Sequence, residues 1–565
     1  MNIPAFADLT AEKPTYEAAQ AEMAAVHAAF DNAPDAAGQI AAVKRWNEMR
    51  RKHRTWSSLV GLRFNQDTRN PQYKADRDYR DALEPKLTNL NNDLKKKVLA
   101  SQHRDALLKA LGSQAFALWD FDARAHSPAI EPEEVKISRL GAQYTELQAA
   151  AIFDFKGEKL NMPALGKYYT DLDRNTRHEA RKLQFGWYAS QRPKLDAIFD
   201  ELVKLRHESA RKLGLRSFIE LGYLRMHRID YGLEDIKRLR KQVIDEVVPL
   251  CMQLAKQQAA TLGVDKAMYW DDGIHDAKGS PRPHGDYDWM VKRAQEMFDD
   301  IGHGLGDFFR LMNEKGLLDL KSREGKAGGG FCTSFPVYGV PFVFANFNGS
   351  KGDVEVFTHE MGHAFQNWSS RHHELPDYHW PTYESAEIHS MSLEFITWPW
   401  MEKFFEQDAD RFRRAHLIGS LFFIPYGTAV DHFQHMVYER PDATAQQRFE
   451  MWRECERTYL PWRDYGDLPH ASEGGFWQVQ RHIYLSPFYY IDYVLAQLCA
   501  LQFWVRVNEN RDQAMQDYAA LCKRGGEAPF QELAKSAGLK SPFEQGALTR
   551  IIQQAKDWLK SQSSP

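Results

Sequence analysis

The most informative stretch of the sequence is residues 358–365, which read THEMGHAF. It contains two histidines four residues apart, His359 and His363, with Glu360 directly after the first. In an α-helix, residues i and i+4 lie one above the other on the same face, so both imidazoles can reach one metal ion. Glu360 is turned by about 100° from His359 and can address a water molecule on that ion. The pattern therefore predicts a helix that carries two metal ligands and a general base.

A third ligand has to come from another part of the chain, because a zinc site of this kind has three protein ligands and one position open for water. One known arrangement would need Gly at position 366 and His at position 369, but the sequence has Gln366 and Ser369 there, which excludes it. The other arrangement takes a carboxylate from a second helix, and Pro381 suits the start of one. The acidic residues of that helix are Glu384, Glu387 and Glu394. One of them can bind the metal while another hydrogen-bonds a ligand imidazole.

Residues 327–349, which precede this helix, read AGGGFCTSFPVYGVPFVFANFNG. Short apolar and aromatic runs between Gly and Pro are typical of strands. They predict a small sheet next to the helix with the pattern His-Glu-x-x-His at 359–363, called the HExxH helix below.

The rest of the chain has a helical pattern. Residues 14–60, 80–112 and 170–213 have apolar positions three and four apart among charged residues, which predicts long helices. Helix ends are expected at the glycines Gly112, Gly214 and Gly263. Residues 271–286 are rich in Gly, Pro, Asp and His, so we expect a surface loop that is a candidate connection between two lobes.

The composition limits the classes of protein that the chain can belong to. Its 565 residues are 43% hydrophobic and 27% charged, with a net charge of −4, as in ordinary globular proteins and without the basic field of a nucleic-acid-binding protein. Five widely spaced cysteines do not form a disulfide framework and fit a reducing compartment. Residues 1–8 lack the basic and apolar segments of a secretory signal, and no apolar run is long enough to span a membrane. We therefore expect a cytoplasmic protein.

Two motifs together resemble those of one known family. The runs HEMGHAF at 359–365 and EIHSMSLE at 387–394 are similar to the paired motifs of the M3 family of zinc metallopeptidases, the oligoendopeptidase F and thimet oligopeptidase group. The resemblance is closest to the bacterial oligoendopeptidase branch. It implies one zinc ion per chain, held by His359, His363 and Glu387, with Glu394 supporting a ligand.

The resemblance also implies a fold. The family is mainly α, a two-lobed helical ellipsoid with a deep central channel and a small β-sheet next to the HExxH helix. Residues 1–190 would form an N-terminal helical lobe and residues 191–565 the catalytic domain. A narrow channel of this kind admits unstructured oligopeptides and excludes folded proteins.

Residues 481–493, which read RHIYLSPFYYIDY, match the late segment from which the family takes a histidine and several tyrosines. Such groups donate hydrogen bonds to the negative charge that develops on the carbonyl oxygen during hydrolysis. His482 carries over directly. The tyrosines align in two ways, as Tyr490 with Tyr493 or as Tyr489 with Tyr493. We predict catalytic roles for His482 and Tyr490, and substrate binding by Tyr489 and Tyr493.

The sequence thus predicts a zinc-dependent metalloendopeptidase that cleaves internal bonds of short unstructured oligopeptides, with Glu360 as general base. The run Phe342 to Asn348 could offer an edge strand to the substrate backbone. One alternative is a peptidyl-dipeptidase or other exopeptidase, but no cationic pocket for a terminal carboxylate is evident. Another is a non-catalytic peptide-binding protein, which would have no need of Glu360. Oligopeptides are the expected partners, without nucleic acid or membrane.

Overall fold

The computed structural model describes residues 3–562, and its architecture is mainly helical, as expected. The α-helices α1 to α23 span, in chain order, Tyr16–Asp31, Ala36–Gln66, Pro71–Leu99, Arg104–Leu111, Ser113–Ala125, Glu131–Ala149, Met162–Leu165, Arg174–Lys212, Phe218–Arg225, Leu233–Gln242, Val248–Thr261, Tyr287–Ile301, Leu305–Glu314, Lys351–Ser370, Tyr383–Ile396, Glu402–Phe405, Ala409–Glu439, Ala445–Tyr459, Arg481–Leu485, Tyr490–Glu509, Arg511–Arg524, Phe530–Ser536 and Thr549–Ser561. The strands β1 to β5 span Ile152–Phe155, Glu158–Asn161, Leu318–Lys321, Phe331–Phe335 and Val340–Phe347. Within the described residues, no helix is both long enough and apolar enough to cross a membrane.

The chain forms two compact units, each built from three segments. The first comprises residues up to Ala123, Arg282–Gln407 and Cys499–Ser541, and the second comprises Arg124–Pro281, Asp408–Leu498 and the residues from Pro542 onward. This partition differs from the two consecutive domains expected from the sequence, 1–190 and 191–565. The physical reason is that residue 190 lies inside α8, one continuous helix, so the chain does not divide there.

The predicted sheet is present in the first unit, with the strand order β3-β5-β4. Strand β3 pairs with β5 in parallel, and β4 pairs with it antiparallel, with Thr333 opposite Phe342. Strand β5 is therefore central, and both of its edges are paired. The expectation that Phe342 to Asn348 offers an edge strand is wrong for this reason, and β4 lies at the edge of the sheet instead.

Helix α14, which carries the HExxH residues, follows directly from β5. The carboxylate of Asp353 in its first turn accepts hydrogen bonds from the backbone N–H groups of Asn348, at 3.0 Å, and Gly349, at 2.6 Å. These bonds use the carboxylate to close the turn between strand and helix. The sheet thereby fixes where α14 begins.

The connection between α14 and α15 is anchored in the hydrophobic core of the first unit. The side chain of Asp377 forms an ion pair with Arg50, at 2.6 Å, and accepts a hydrogen bond from the indole N–H of Trp119, at 3.1 Å. The hydroxyl of Tyr378 donates to the carbonyl of Leu111 at 2.6 Å. Trp119 and Tyr378 belong to a cluster of buried side chains contributed mainly by α1 to α5. The middle of the segment that joins the two helices is therefore held by the core.

Candidate metal centre

Helices α14 and α15 bring three of the predicted ligands together. The Nε2 atoms of His359 and His363 lie 3.2 and 3.4 Å from Oε2 of Glu387. One ligand atom from each residue falls within 4.8 Å of the other two, and within residues 3–562 this is the group of His, Cys, Asp or Glu side chains that could hold a metal ion. Two neutral imidazoles and a carboxylate form the donor set of catalytic zinc sites. The arrangement therefore fits a zinc-type ion.

The electrostatics of the three groups are mutually favourable. Burial alone would raise the pKa of Glu387, but the imidazoles of His363 and His359 outweigh it and hold the pKa of this carboxyl well below its usual range. Glu387 also accepts a hydrogen bond from the hydroxyl of Ser390 at 2.9 Å. The carboxylate is thus kept ionised and oriented, which a metal ligand requires.

Glu394 lies on the outer side of His359. Its Oε1 is 2.7 Å from Nδ1 of the imidazole, which leaves Nε2 for the metal. Burial lowers the pKa of His359, but the hydrogen bonds to Glu387 and Glu394 more than compensate and raise it well above the usual value. A carboxylate in this position fixes the orientation and increases the basicity of a ligand imidazole.

Glu384, the other acidic residue that the sequence left open, has a different environment. It lies in the first turn of α15 and is 1% exposed, but it is not part of the group formed by His359, His363 and Glu387. The register of the helix therefore favours Glu387 as the third ligand.

The carboxylate of Glu360 is buried beside the three candidate ligand side chains, and Glu360 as a whole is 6% exposed. Its Oε2 atom has no hydrogen-bond partner among the described residues. Burial raises the pKa of Glu360, against the opposing effect of His359 and His363. A buried carboxylate with an unsatisfied oxygen has a position for a water molecule to donate to.

The start of β4 lies next to Glu360. A β-carbon added to Gly330 would be 3.4 Å from Oε1 of Glu360 and 2.8 Å from a methyl group of Val356. In the same strand, burial and the charge of Glu360 raise the pKa of the Cys332 thiol well above its usual value. From the sequence, Gly330 was expected in a turn or in a loop that flexes over bound peptide, and Cys332 was noted only as one of five widely spaced cysteines.

Gly362 lets the two ligand helices approach each other. A β-carbon at this position would lie 2.5 Å from the carbonyl oxygen of His389 and 2.6 Å from Cα of Ser390. Both contacts are with backbone of α15, so no side-chain movement could relieve them. The close packing of the two helices thus explains why position 362 is a glycine, which the spacing of the histidines in the sequence did not reveal.

The predicted histidine and tyrosines form a separate cluster in the second unit. The ring centroid of His482 is 5.9 Å from that of Tyr489, 5.1 Å from that of Tyr490 and 6.0 Å from that of Tyr493. Burial raises the pKa of Tyr490 above its usual range, so the phenol keeps its proton and can donate it in a hydrogen bond. The side chain of Gln480 contacts His482 as well, and sequence reasoning missed it because an isolated Gln carries no motif.

The comparisons with known proteins agree with the fold. The family description "Peptidase M3 N-terminal domain" matches residues 6–126, and "Peptidase family M3" matches residues 298–551. The chain belongs to peptidase family M3, whose members are hydrolases that act on peptide bonds.

Two solved structures match nearly the whole chain, and a further relative matches part of it. A structure provisionally named oligoendopeptidase F is 44% identical with a TM-score of 0.94, and the match covers 99% of both chains. PZ peptidase A, solved with an inhibitor, is 41% identical with a TM-score of 0.94 over 98% of this chain and 99% of the other. An oligoendopeptidase F homolog from Borreliella burgdorferi is 26% identical over 236 residues, and the match spans 39% of this chain and 39% of that protein.

Proposed function

We propose that the protein is a zinc-dependent endopeptidase that hydrolyses internal bonds of short, unstructured oligopeptides. The observation that carries the proposal is the convergence of His359 Nε2, His363 Nε2 and Glu387 Oε2 beside the unsatisfied carboxylate of Glu360. Family membership supports the peptidase activity, and the names of the similar structures support oligopeptides as the substrate class.

The ion would be held by His359, His363 and Glu387. Glu394 would keep the imidazole of His359 in the orientation that presents its Nε2 to the ion. When bound, zinc polarises a substrate carbonyl and lowers the pKa of water. The ligand set supports this assignment, because each of the two imidazoles and the carboxylate has one ligand atom within 4.8 Å of the other two.

Glu360 acts as the general base. Its carboxylate accepts a proton from the attacking water and then passes this proton to the nitrogen of the leaving amine. Burial that raises its pKa supports the role, because a carboxyl that returns a proton works best with a pKa above that of an exposed glutamate.

His482 and Tyr490 donate hydrogen bonds to the carbonyl oxygen as it becomes negative, and Tyr489 and Tyr493 bind substrate. The contacts among these four rings and the protonated state of Tyr490 support the assignment. Fixed donors of this kind contribute about 3 to 4 kcal/mol of transition-state stabilisation in other hydrolases.

The edge strand β4 binds the substrate backbone in an extended conformation. Two features support this step: β4 is at the edge of its sheet, and it begins one residue after Gly330, which lies beside Glu360. Addition of a strand to a sheet edge uses backbone hydrogen bonds, which do not depend on side chains. It would therefore allow a broad range of peptide sequences.

The experiment that tests the function is cleavage of a fluorescence-quenched peptide that is blocked at both ends. We expect cleavage at internal bonds, its loss after treatment with a chelator and its recovery on addition of one equivalent of zinc. Cleavage that requires a free terminus would contradict endopeptidase action, and cleavage that persists in the metal-free protein would contradict the role of the ion.

A further inference from the structure

Gln480 lies between Tyr426 and His482 and contacts both. The hydroxyl of Tyr426 donates to Oε1 of Gln480 at 2.7 Å, and Nε2 of the same amide is 2.7 Å from Nδ1 of His482. A neutral imidazole has one donor and one acceptor nitrogen. In this arrangement Nδ1 accepts from the amide, so the proton of the imidazole is on Nε2.

The orientation of the amide decides this assignment, because rotation of Gln480 by 180° would exchange its donor and acceptor atoms. In the rotated arrangement Nε2 would donate to Tyr426, and the Tyr426 hydroxyl would lose Oε1 as its acceptor. The ring of Tyr426 packs edge-on against Phe476 and Tyr490, with centroids 6.0 and 5.7 Å apart. Loss of the hydrogen-bond acceptor of a hydroxyl that is surrounded by aromatic rings costs free energy. The observed orientation of the amide is therefore favoured.

The backbone holds Gln480 and Tyr426 in place. The N–H of Gln480 donates to the carbonyl of Trp477 at 3.0 Å, and its own carbonyl accepts from Ile483 at 3.1 Å. Next to Tyr426, a β-carbon at Gly427 would lie 2.5 Å from a methyl group of Val494. The absence of a side chain there lets α17 approach α20 closely enough for Tyr426 to reach its neighbours.

The surroundings of His482 keep its imidazole neutral. Burial lowers the pKa of His482, and the positive charge of Arg481 lowers it further. In a neutral ring the position of the single proton determines whether Nε2 is a donor or an acceptor.

We propose that Gln480 is a positioning residue that keeps the proton of His482 on Nε2, and that Tyr426 fixes the amide of Gln480 in the orientation this requires. The inference rests on the proposed role of His482 and deepens it. With the proton on Nε2, that nitrogen is a hydrogen-bond donor to a developing oxyanion. With the proton on Nδ1, it would present a lone pair to the same oxygen and repel it.

The test is the protonation pattern of His482 in two-bond ¹H–¹⁵N spectra of the full-length, ¹⁵N-histidine-labelled protein, with His482→Ala used to assign the signals. We expect a protonated Nε2 and an unprotonated Nδ1 in the wild type. In Gln480→Glu the carboxylate can only accept, so we expect a proton on Nδ1. A protonated Nδ1 in the wild type, or an unchanged pattern in Gln480→Glu, would overturn the proposal.

A matched control uses another tyrosine–histidine pair of the second unit. The hydroxyl of Tyr459 is 3.1 Å from Nδ1 of His432, so Tyr459→Phe should change the signals of His432 and leave those of His482 as they are. Tyr426→Phe, which releases the amide, should instead give His482 a mixture of the two tautomers. A single wild-type tautomer in Tyr426→Phe would remove Tyr426 from the proposal.

Kinetics separate this proposal from the role of His482 itself. Gln480→Leu should lower kcat about tenfold with little change in KM, and it should have no further effect in the His482→Ala background. An undiminished effect in that background would show that Gln480 acts independently of His482 and would contradict the proposal. If His482→Ala alone leaves kcat unchanged, the proposed function of His482 fails, whereas the tautomer measurement still decides the role of Gln480.

Discussion

A β-carbon at Gly362 would lie 2.5 Å from the carbonyl oxygen of His389. Real β-carbons do not approach a carbonyl oxygen so closely, and the nearest atoms of α15 belong to its backbone. The distance between the two ligand helices thus depends on the absence of a side chain at this one position. The same distance sets how far Glu387 is from His359 and His363.

We therefore expect Gly362→Ala to lower the free energy of unfolding by about 2 kcal/mol, within the range measured for overpacked cores, and to weaken zinc binding. Gly186→Ala is the matched control, because Gly186 is also inside a helix and a β-carbon there meets nothing within 4 Å. Removal of a helical glycine without a clash should stabilise the protein by up to about 1 kcal/mol. Thermal unfolding and metal titration of both variants measure these changes in stability and zinc binding. If Gly362→Ala and Gly186→Ala had equal effects, close packing at Gly362 would not be the cause of the loss.

The second prediction concerns Glu360. Glu360→Gln keeps the size of the side chain but removes its ability to take a proton, so we expect kcat to fall by about 10² to 10⁴ while zinc content is unchanged. Steady-state kinetics and elemental analysis on the same preparation measure both quantities. Near-normal turnover would mean that another group is the base.

The third prediction distinguishes the two acids at the start of α15. Glu387→Ala should greatly reduce zinc affinity, because one of three ligands is lost. Glu384→Ala should leave zinc content unchanged, because Glu384 is outside the ligand group. Competition with a coloured chelator gives both affinities, and the opposite result would transfer the ligand role to Glu384.

Features of the fold and of the site could be predicted from the sequence mainly where they depend on residues that are close together in the chain. Gly112, Gly214 and Gly263 do end helices, with positive φ angles of 90°, 78° and 65°, because a helix stop is a local property of the backbone. The predicted long helix over 14–60 is in fact two, α1 and α2, since Asp35 caps a new start by accepting from the N–H of Gly38. The apolar spacing continued across this break and did not reveal it, although its signal, Pro34 followed by Asp35, is also local.

In the candidate site, too, features set by neighbouring residues could be predicted, and contacts between distant residues could not. The convergence of His359, His363 and Glu387 follows from two short motifs, each read on one helix. The role of Gln480 depends on Tyr426, which is 54 residues away in sequence, and no local pattern links the two. The central position of β5 was missed for a related reason: β3 is a strand of only four residues, too short for its alternation to be recognised.

The fourth prediction concerns the anchor of the segment between the ligand helices. Burial opposes ionisation of Asp377, but the charge of Arg50 and its hydrogen bonds hold the pKa of this carboxyl well below its usual range. A lowered pKa stabilises the fold fully above the unfolded value of about 3.9 and progressively less as the pH falls below it. Asp377→Asn should thus lower the free energy of unfolding by about 3 kcal/mol at neutral pH, and the difference from wild type should shrink as the pH falls below about 4.

The control for this prediction is Asp76→Asn. Asp76 pairs with Lys13 at 3.1 Å, and their side chains are 28% and 51% exposed, so its loss should cost less than about 1 kcal/mol. Denaturant unfolding of both variants between pH 3 and pH 7, a range that includes the pKa of about 3.9 of an aspartate in the unfolded chain, gives the comparison. A penalty for Asp377→Asn that does not depend on pH would show that the charge of Asp377 is not what holds the segment.

The most direct test of the account is the position of the metal in crystals of the zinc-loaded protein, from anomalous diffraction on both sides of the zinc absorption edge. We expect one strong peak per chain, about 2.0 to 2.2 Å from Nε2 of His359, Nε2 of His363 and a carboxylate oxygen of Glu387. A peak bound by other residues, or no peak between α14 and α15 in a protein that contains stoichiometric zinc, would contradict it.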